Sequence, residues 1–117
     1  MKYYRLKYRL SIQHSADNNI ENKHSHVVEV EVYVRPDDDE FIEFQEMDKM
    51  LKMALDKYQH KYLNELEDFQ GNVTMEGIAE VIYSHLLKIF DGVGWMIARL
   101  QVSETPLRTY AIVAEEV

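Results

Sequence analysis

His24-Ser25-His26-Val27-Val28-Glu29-Val30-Glu31-Val32-Tyr33-Val34 is the stretch that decides the fold. Val28, Val30, Val32 and Val34 alternate with Glu29, Glu31 and Tyr33. Strict alternation of this kind marks a strand with one face buried and one open. His24 and His26 precede the valines on the same parity, so they share their face. Their Cα atoms stand about 6.6 Å apart in an extended chain. Two imidazoles at that spacing can converge on one ion at metal–nitrogen distances of about 2.0–2.1 Å.

Upstream, Tyr4, Leu6, Tyr8, Leu10 and Ile12 face one way, and Arg5, Lys7, Arg9 and Ser11 the other. This is a second half-buried strand. His14 continues its even-numbered apolar set. Asp17-Asn18-Asn19 is a turn cluster. A connection this short makes the two strands an antiparallel pair, which brings His14 beside His24 and His26 at one end of a sheet. Polar rings facing an apolar layer are costly without partners. Two readings answer that cost. The three histidines hold one zinc ion with a fourth position open, the ligand set of a catalytic site. Alternatively, they sit at the sheet rim, hydrogen-bonded to loop carbonyls.

Downstream, Met47, Met50, Leu51, Ala54, Leu55 and Tyr58 recur at helical spacing, which predicts a helix over Phe44 to Tyr58. Its methionines read as core filler. Gln59 to Asn72 is irregular and carries His60. A second helix is expected over Thr74 to Phe90, with Thr74 as N-cap and Glu76 in the positive first turn. Its stripe is Ile78, Ala79, Ile82, Leu86, Ile89 and Phe90; His85 reads as structural or surface. Trp95 to Thr105 is a strand with Met96, Ala98, Leu100 and Val102 inward, and Thr109 to Glu115 is the last. Glu104 continues the inward even set of its strand. The order β-β-α-α-β-β predicts an α+β fold with helices on one sheet face.

The chain has 117 residues and a net charge of −8. That length suits one domain. The charge argues against nucleic-acid or anionic-membrane binding, which needs basic patches, and leaves room for a local basic pocket. There is no cysteine, so neither a disulfide nor a thiolate ligand is possible. Met1-Lys2-Tyr3-Tyr4-Arg5 leads straight into a strand pattern, with no signal peptide and no spanning run. A cytoplasmic location is the expectation. Asp37-Asp38-Asp39-Glu40 lacks the glycine and spacing of a calcium loop and reads as a solvated connection.

These motifs, in order, resemble the family of 6-pyruvoyl tetrahydropterin synthase and 6-carboxy tetrahydropterin synthase, the latter acting in queuosine biosynthesis. His14 matches the histidine ending the first strand, and His24-Ser25-His26 the family's H-G-H. Glu43-Phe44 matches an acidic-Phe pair. Gln59-His60 and Leu63-Asn64 match D-H followed by L-N. Val73-Thr74-Met75-Glu76 matches P-T-x-E, and Glu104-Thr105 a closing E-T. The resemblance implies a tunnelling fold: a four-stranded antiparallel sheet with two helices on one face, the whole of 1–117 being one pterin synthase-like domain. It implies subunits joined by sheet edges into a homo-oligomer, a hexamer, with pockets between subunits.

It further implies zinc on His14, His24 and His26, a small-molecule pterin substrate related to 7,8-dihydroneopterin triphosphate, and binding positions at Glu104, Thr105, Thr74 and Glu76. Glu104 would grip the ring's amino and N–H groups, two donors side by side. His60 would move protons. Three departures stand out: Ile20 where the family has its catalytic cysteine, Gln59 for the neighbouring aspartate, and Ser25 for glycine. Family variants that use a nearby glutamate instead of cysteine, and release 6-hydroxymethyl-7,8-dihydropterin for folate synthesis, look similar, because Glu21 lies three residues before His24. Glu21 is then a substitute base, or an ordinary loop acid. The functional expectation is a zinc-dependent pterin-forming lyase; the alternative is a degenerate paralogue that binds zinc and pterin without turnover.

Overall fold

The alternating strands pair as their parity requires in the structure, a computed structural model that describes residues 2–38 and 40–115. β1 (Tyr4–His14) and β2 (His24–Pro36) are antiparallel, in register from Tyr4↔Val34 to His14↔His24. β4 (Trp95–Thr105) lies on the other side of β2, and β5 (Arg108–Val113) lies beside β4, both antiparallel. A fifth strand, β3 (Lys61–Tyr62), runs parallel to β1 at Ile12 and Gln13, giving the sheet order β3-β1-β2-β4-β5. The sequence predicts four strands; two residues are too short to display a period, so β3 is visible only through its pairing.

Both helices lie on the even-numbered face. α1 (Phe44–Leu55) packs on β1 and α2, and α2 (Met75–Asp91) packs on β4 and β5. α1 is shorter than predicted, because the chain tightens into a 3-10 turn over Asp56–Tyr58. Its apolar stripe still closes, with Met47, Leu51, Ala54, Leu55 and Tyr58 buried. Val28, Val30, Val32 and Val34 are fully buried against Leu10, Ile12, Ile78, Ile82 and Leu86. Burying one such side chain contributes about 1.5–3 kcal/mol, so this layer dominates the stability of the fold.

The odd-numbered face is polar. Arg5 pairs with Glu31, and Lys7 Nζ lies 3.7 Å from Glu29 Oε1. One inward assignment is corrected by a bulge. Tyr33 pairs with Arg99 but Val34 pairs with Ile97, so Ala98 is an extra residue. Before it the parity reverses: Trp95 and Ile97 enter the core, and Met96, predicted inward, is exposed. Asp37, Asp38 and Glu40 are exposed as a solvated connection requires; Asp39 lies outside the described residues, as do Met1, Glu116 and Val117. No helix among the described residues is long and apolar enough to cross a membrane.

Candidate metal centre and ligand cavity

Strand register alone brings the three histidines together. His14 is the Cα partner of His24, and Ile12 that of His26, so all three rings leave the sheet on its helix-covered face. Ring centroids are 4.5 Å apart for His14–His24, 5.1 Å for His14–His26 and 4.4 Å for His24–His26. One nitrogen from each ring falls within 4.8 Å of the others.

Backbone carbonyls set the tautomers. His14 Nδ1 is 2.8 Å from the Val73 carbonyl, and His24 Nδ1 is 3.0 Å from that of Asn22. A carbonyl only accepts, so both Nδ1 atoms carry a hydrogen, and Nε2 is the nitrogen left to offer a lone pair in the neutral tautomer. This is the outer-shell arrangement that orients imidazoles toward a metal. The rim reading holds for two of the three rings, His14 and His24, each of which meets a loop carbonyl through Nδ1 and leaves Nε2 available to ligate. The His14 ring is buried, and its Nε2 has no hydrogen-bond partner.

His26 completes the set. Its Nε2 lies 2.7 Å from Glu104 Oε1, at an angle that makes no hydrogen bond. Burial pushes the His26 pKa below the usual histidine range, against the pull of Glu104, and the neighbouring His24 and His14 lower it further. The neutral ring is the ligating form. Three imidazoles, two of them with an orphaned buried nitrogen, and no thiolate fit a divalent ion of the zinc type with an open position.

His14 and His24 open into a cavity of about 500 Å³ whose walls also carry Thr74, Glu76 and Glu104. The N-terminus of α2 is held over it. Thr74 Oγ1 accepts from Gly77 N at 3.1 Å and donates to Asn72 Oδ1 at 2.6 Å. Gly77 is required there, because an added Cβ would lie 2.4 Å from Asn72. Thr74 is thus fully used as a cap, and the nearest partner of Glu104 is His26 rather than the Thr74 hydroxyl. Arg108, Thr109 and Tyr110 of β5 also line the cavity; sequence reading missed all three. Strand alternation was the available signal, since Tyr110 pairs with the inward Val102.

Three expected site residues stand apart from this cavity. Glu21 is exposed on a 3-10 turn over Ile20–Asn22, its N–H bound to Asn19 Oδ1 at 3.0 Å. Thr105 is exposed, and its Oγ1 accepts from Leu107 N at 3.2 Å. His60 is exposed at φ 61° and lines a separate hollow with Gln13, Ser25 and His26. Beside it, Gln59 grips the edge of β1. Its Oε1 accepts from Ser11 N, and its Nε2 donates to Tyr8 Oη and the Arg9 carbonyl, each at 2.9 Å. Tyr8 in turn donates to Asp56. Burial, with the Asp56 hydrogen bond second, pushes the Tyr8 pKa up to about 12.

The same architecture recurs in solved structures. 6-Pyruvoyl tetrahydropterin synthase of Caenorhabditis elegans superposes with a TM-score of 0.76 at 18% identity, over 97% of this chain and 96% of that one. The Plasmodium falciparum 6-pyruvoyl tetrahydropterin synthase gives 0.62 at 15% identity, over 94% and 96%. A Plasmodium vivax 6-pyruvoyltetrahydropterin synthase altered at a glutamate described as a catalytic residue gives 0.66 at 12%, over 99% and 100%. At such identities the likeness shows the fold. Among curated proteins, none matches the chain. The family model described as 6-pyruvoyl tetrahydropterin synthase matches residues 3–115, almost the whole sequence, and the chain belongs to that family.

Proposed function

We propose that this protein is a zinc-dependent pterin-forming lyase acting on 7,8-dihydroneopterin triphosphate or a related dihydropterin. The carrying observation is that His14 and His24 share one cavity with Glu104, while His26 bridges the gap between them. His14, His24 and His26 would hold the ion. When bound, zinc supplies Lewis acidity that polarises an oxygen of the substrate side chain. Glu104 accepts the amino and ring N–H groups of the pterin, a role for which a carboxylate suits two adjacent donors. Thr74 and Glu76 line the same cavity. Val102 and Met75 give the cavity part of its apolar lining.

Proton transfer is assigned to His60 and Glu21. Neither lines the cavity of its own chain, which supports pockets completed between subunits. Two strand edges invite such assembly: β5, and the part of β1 that the short β3 leaves uncovered. A homohexamer with inter-subunit active sites, built from single-domain subunits in the cytoplasm, is the reading we adopt. Thr105, exposed beside the β4–β5 turn, belongs to the same contact zone. The Plasmodium vivax variant at a glutamate named as catalytic residue supports considering Glu21 as the substitute base.

A second reading is favoured by Gln59 and Ile20. The amide of Gln59 is committed to the β1 edge, and an isoleucine carries no proton. On that reading the chain binds zinc and pterin without turnover. Incubating the pure protein with zinc and dihydroneopterin triphosphate, and identifying products by mass, separates the two. A tetrahydropterin or hydroxymethyl-dihydropterin product supports the lyase. Pterin binding without any product supports the binding protein, and absence of both overturns the pterin reading itself.

A further inference from the structure

The ligand cavity carries opposite charges at two positions close in sequence. Ser103 pairs with Thr109 and Thr105 with Arg108, so Glu104 is the extra residue at a bulge on β4. Arg108 opens β5 after the Pro106-Leu107 turn and lines the same cavity as Glu104. The two side chains form no ion pair with each other, because Glu104 is turned toward His26.

The chain has five arginines. Arg5 pairs with Glu31, Arg35 with Glu115, and Arg99 with the Gln101 side-chain oxygen. Arg9 points to the opposite, polar face of the sheet. Arg108 alone lies on the histidine cavity, and no ion pair or side-chain hydrogen bond engages it among the described residues. No lysine and no other arginine lines the cavity, while Glu76 and Glu104 are its carboxylates. On a chain of net charge −8, the overall field repels an anion. A free guanidinium at the site offsets that repulsion locally, and its planar fork matches phosphate or carboxylate oxygens two at a time.

We infer that Arg108 is the specificity-determining residue of this cavity: its guanidinium takes the anionic substituent, a phosphate ester or a carboxylate, of a ligand whose donor-bearing ring is held by Glu104. The inference rests on the pterin reading above and deepens it, since it selects among pterins by the charge of their side chain. A neutral pterin would satisfy Glu104 and leave Arg108 idle. A charged one would engage both poles.

The test titrates neopterin, neopterin monophosphate, 6-carboxypterin and inorganic tripolyphosphate into wild type, Arg108→Gln and Arg108→Lys by calorimetry. Wild type should bind at least one anionic pterin about tenfold or more tighter than neopterin, the range of a charge-assisted contact. Arg108→Gln should bring the anionic pterins to the affinity of neopterin and leave neopterin itself unchanged. Arg108→Lys should keep part of the preference, because it retains charge but loses the fork. The larger Arg108-dependent gain, for phosphate or for carboxylate, identifies the anion. Equal affinity of wild type for neopterin and both anionic pterins overturns the inference. So does a preference that survives Arg108→Gln, as one carried by a metal ion would. If no pterin binds, the pterin reading fails, and tripolyphosphate decides the anion role alone. Salt-sensitive binding lost in Arg108→Gln sustains it, and binding that is absent or equal in both proteins ends it.

Discussion

At one end of the sheet, His14, His24 and Glu104 turn toward a common cavity; along the edge of β1, Gln59 is bound to the strand backbone and His60 lines a different hollow. The first group stands on long strands whose parity carries each side chain to the same face. The second stands on an irregular segment whose side chains are spent on local architecture. Gln59 fills the backbone sites of β1 with its own amide, as a neighbouring strand would, and His60 N donates to Ser11 O at 2.7 Å. The proposed metal ligands and ring anchor therefore meet within one chain, whereas the positions expected to move protons are outside the cavity. Holding an ion and anchoring a ring need only a rigid sheet end. Proton transfer needs a group brought within about 3 Å of the reacting atom, which this segment does not supply by itself.

The comparison breaks most visibly at the metal. Purified protein should carry near one zinc per chain, and a His24→Ala, His26→Ala double variant should carry almost none by elemental analysis, because one imidazole cannot hold the ion. Full zinc occupancy in that variant would remove the sheet end from consideration as a metal centre. Next comes the anchor. Glu104→Ala should weaken pterin binding by at least about tenfold, given the cost of about 2–5 kcal/mol for truncating one side of a desolvated charged pair. Zinc content should stay unchanged; equal pterin affinity in both proteins would assign the ring to other residues.

The edge segment sharpens the contrast from the other side. Gln59→Ala leaves Ser11 N and Arg9 O without their side-chain partner and should lower unfolding stability by about 1–3 kcal/mol in denaturant titrations. Metal content should not change. A variant as stable as wild type that lost zinc would reverse the roles given to the two regions. The smallest effect concerns acid. Burial depresses the pKa of His26 and, together with Lys57, that of His85 on α2. Unfolding releases both rings to about 6.5, so the unfolded state binds more protons below that pH. Stability of the metal-free protein should fall as pH drops from about 6.5, and a flat profile from 7 to 5 would contradict it.

Much of the site was legible from strand parity, because a period of two is a local property of the chain. It put His14, His24, His26 and Glu104 on one face before any partner was known. Thr74 as the cap of α2 was legible for the same reason: a hydroxyl three residues before a free N–H satisfies it locally. Other features depend on contacts between residues far apart in sequence. The bulge at Ala98, which sends Met96 outward, exists only in the pairing of β4 with β2. The fifth strand exists only because Lys61 and Tyr62 meet Ile12 and Gln13, some 49 positions away. The Val73 carbonyl that fixes the His14 tautomer lies 59 residues downstream, and no pattern in either segment points to the other. Arg108 reached the cavity, and His60 and Glu21 did not, through the packing of turns whose sequences carry no period. The sequence by itself determined which side chains share a face, since backbone sterics impose that residue by residue. The tertiary structure alone decided which of them meet, since register, bulges and hydrogen-bond partners follow from strands and loops that find each other only in the folded chain.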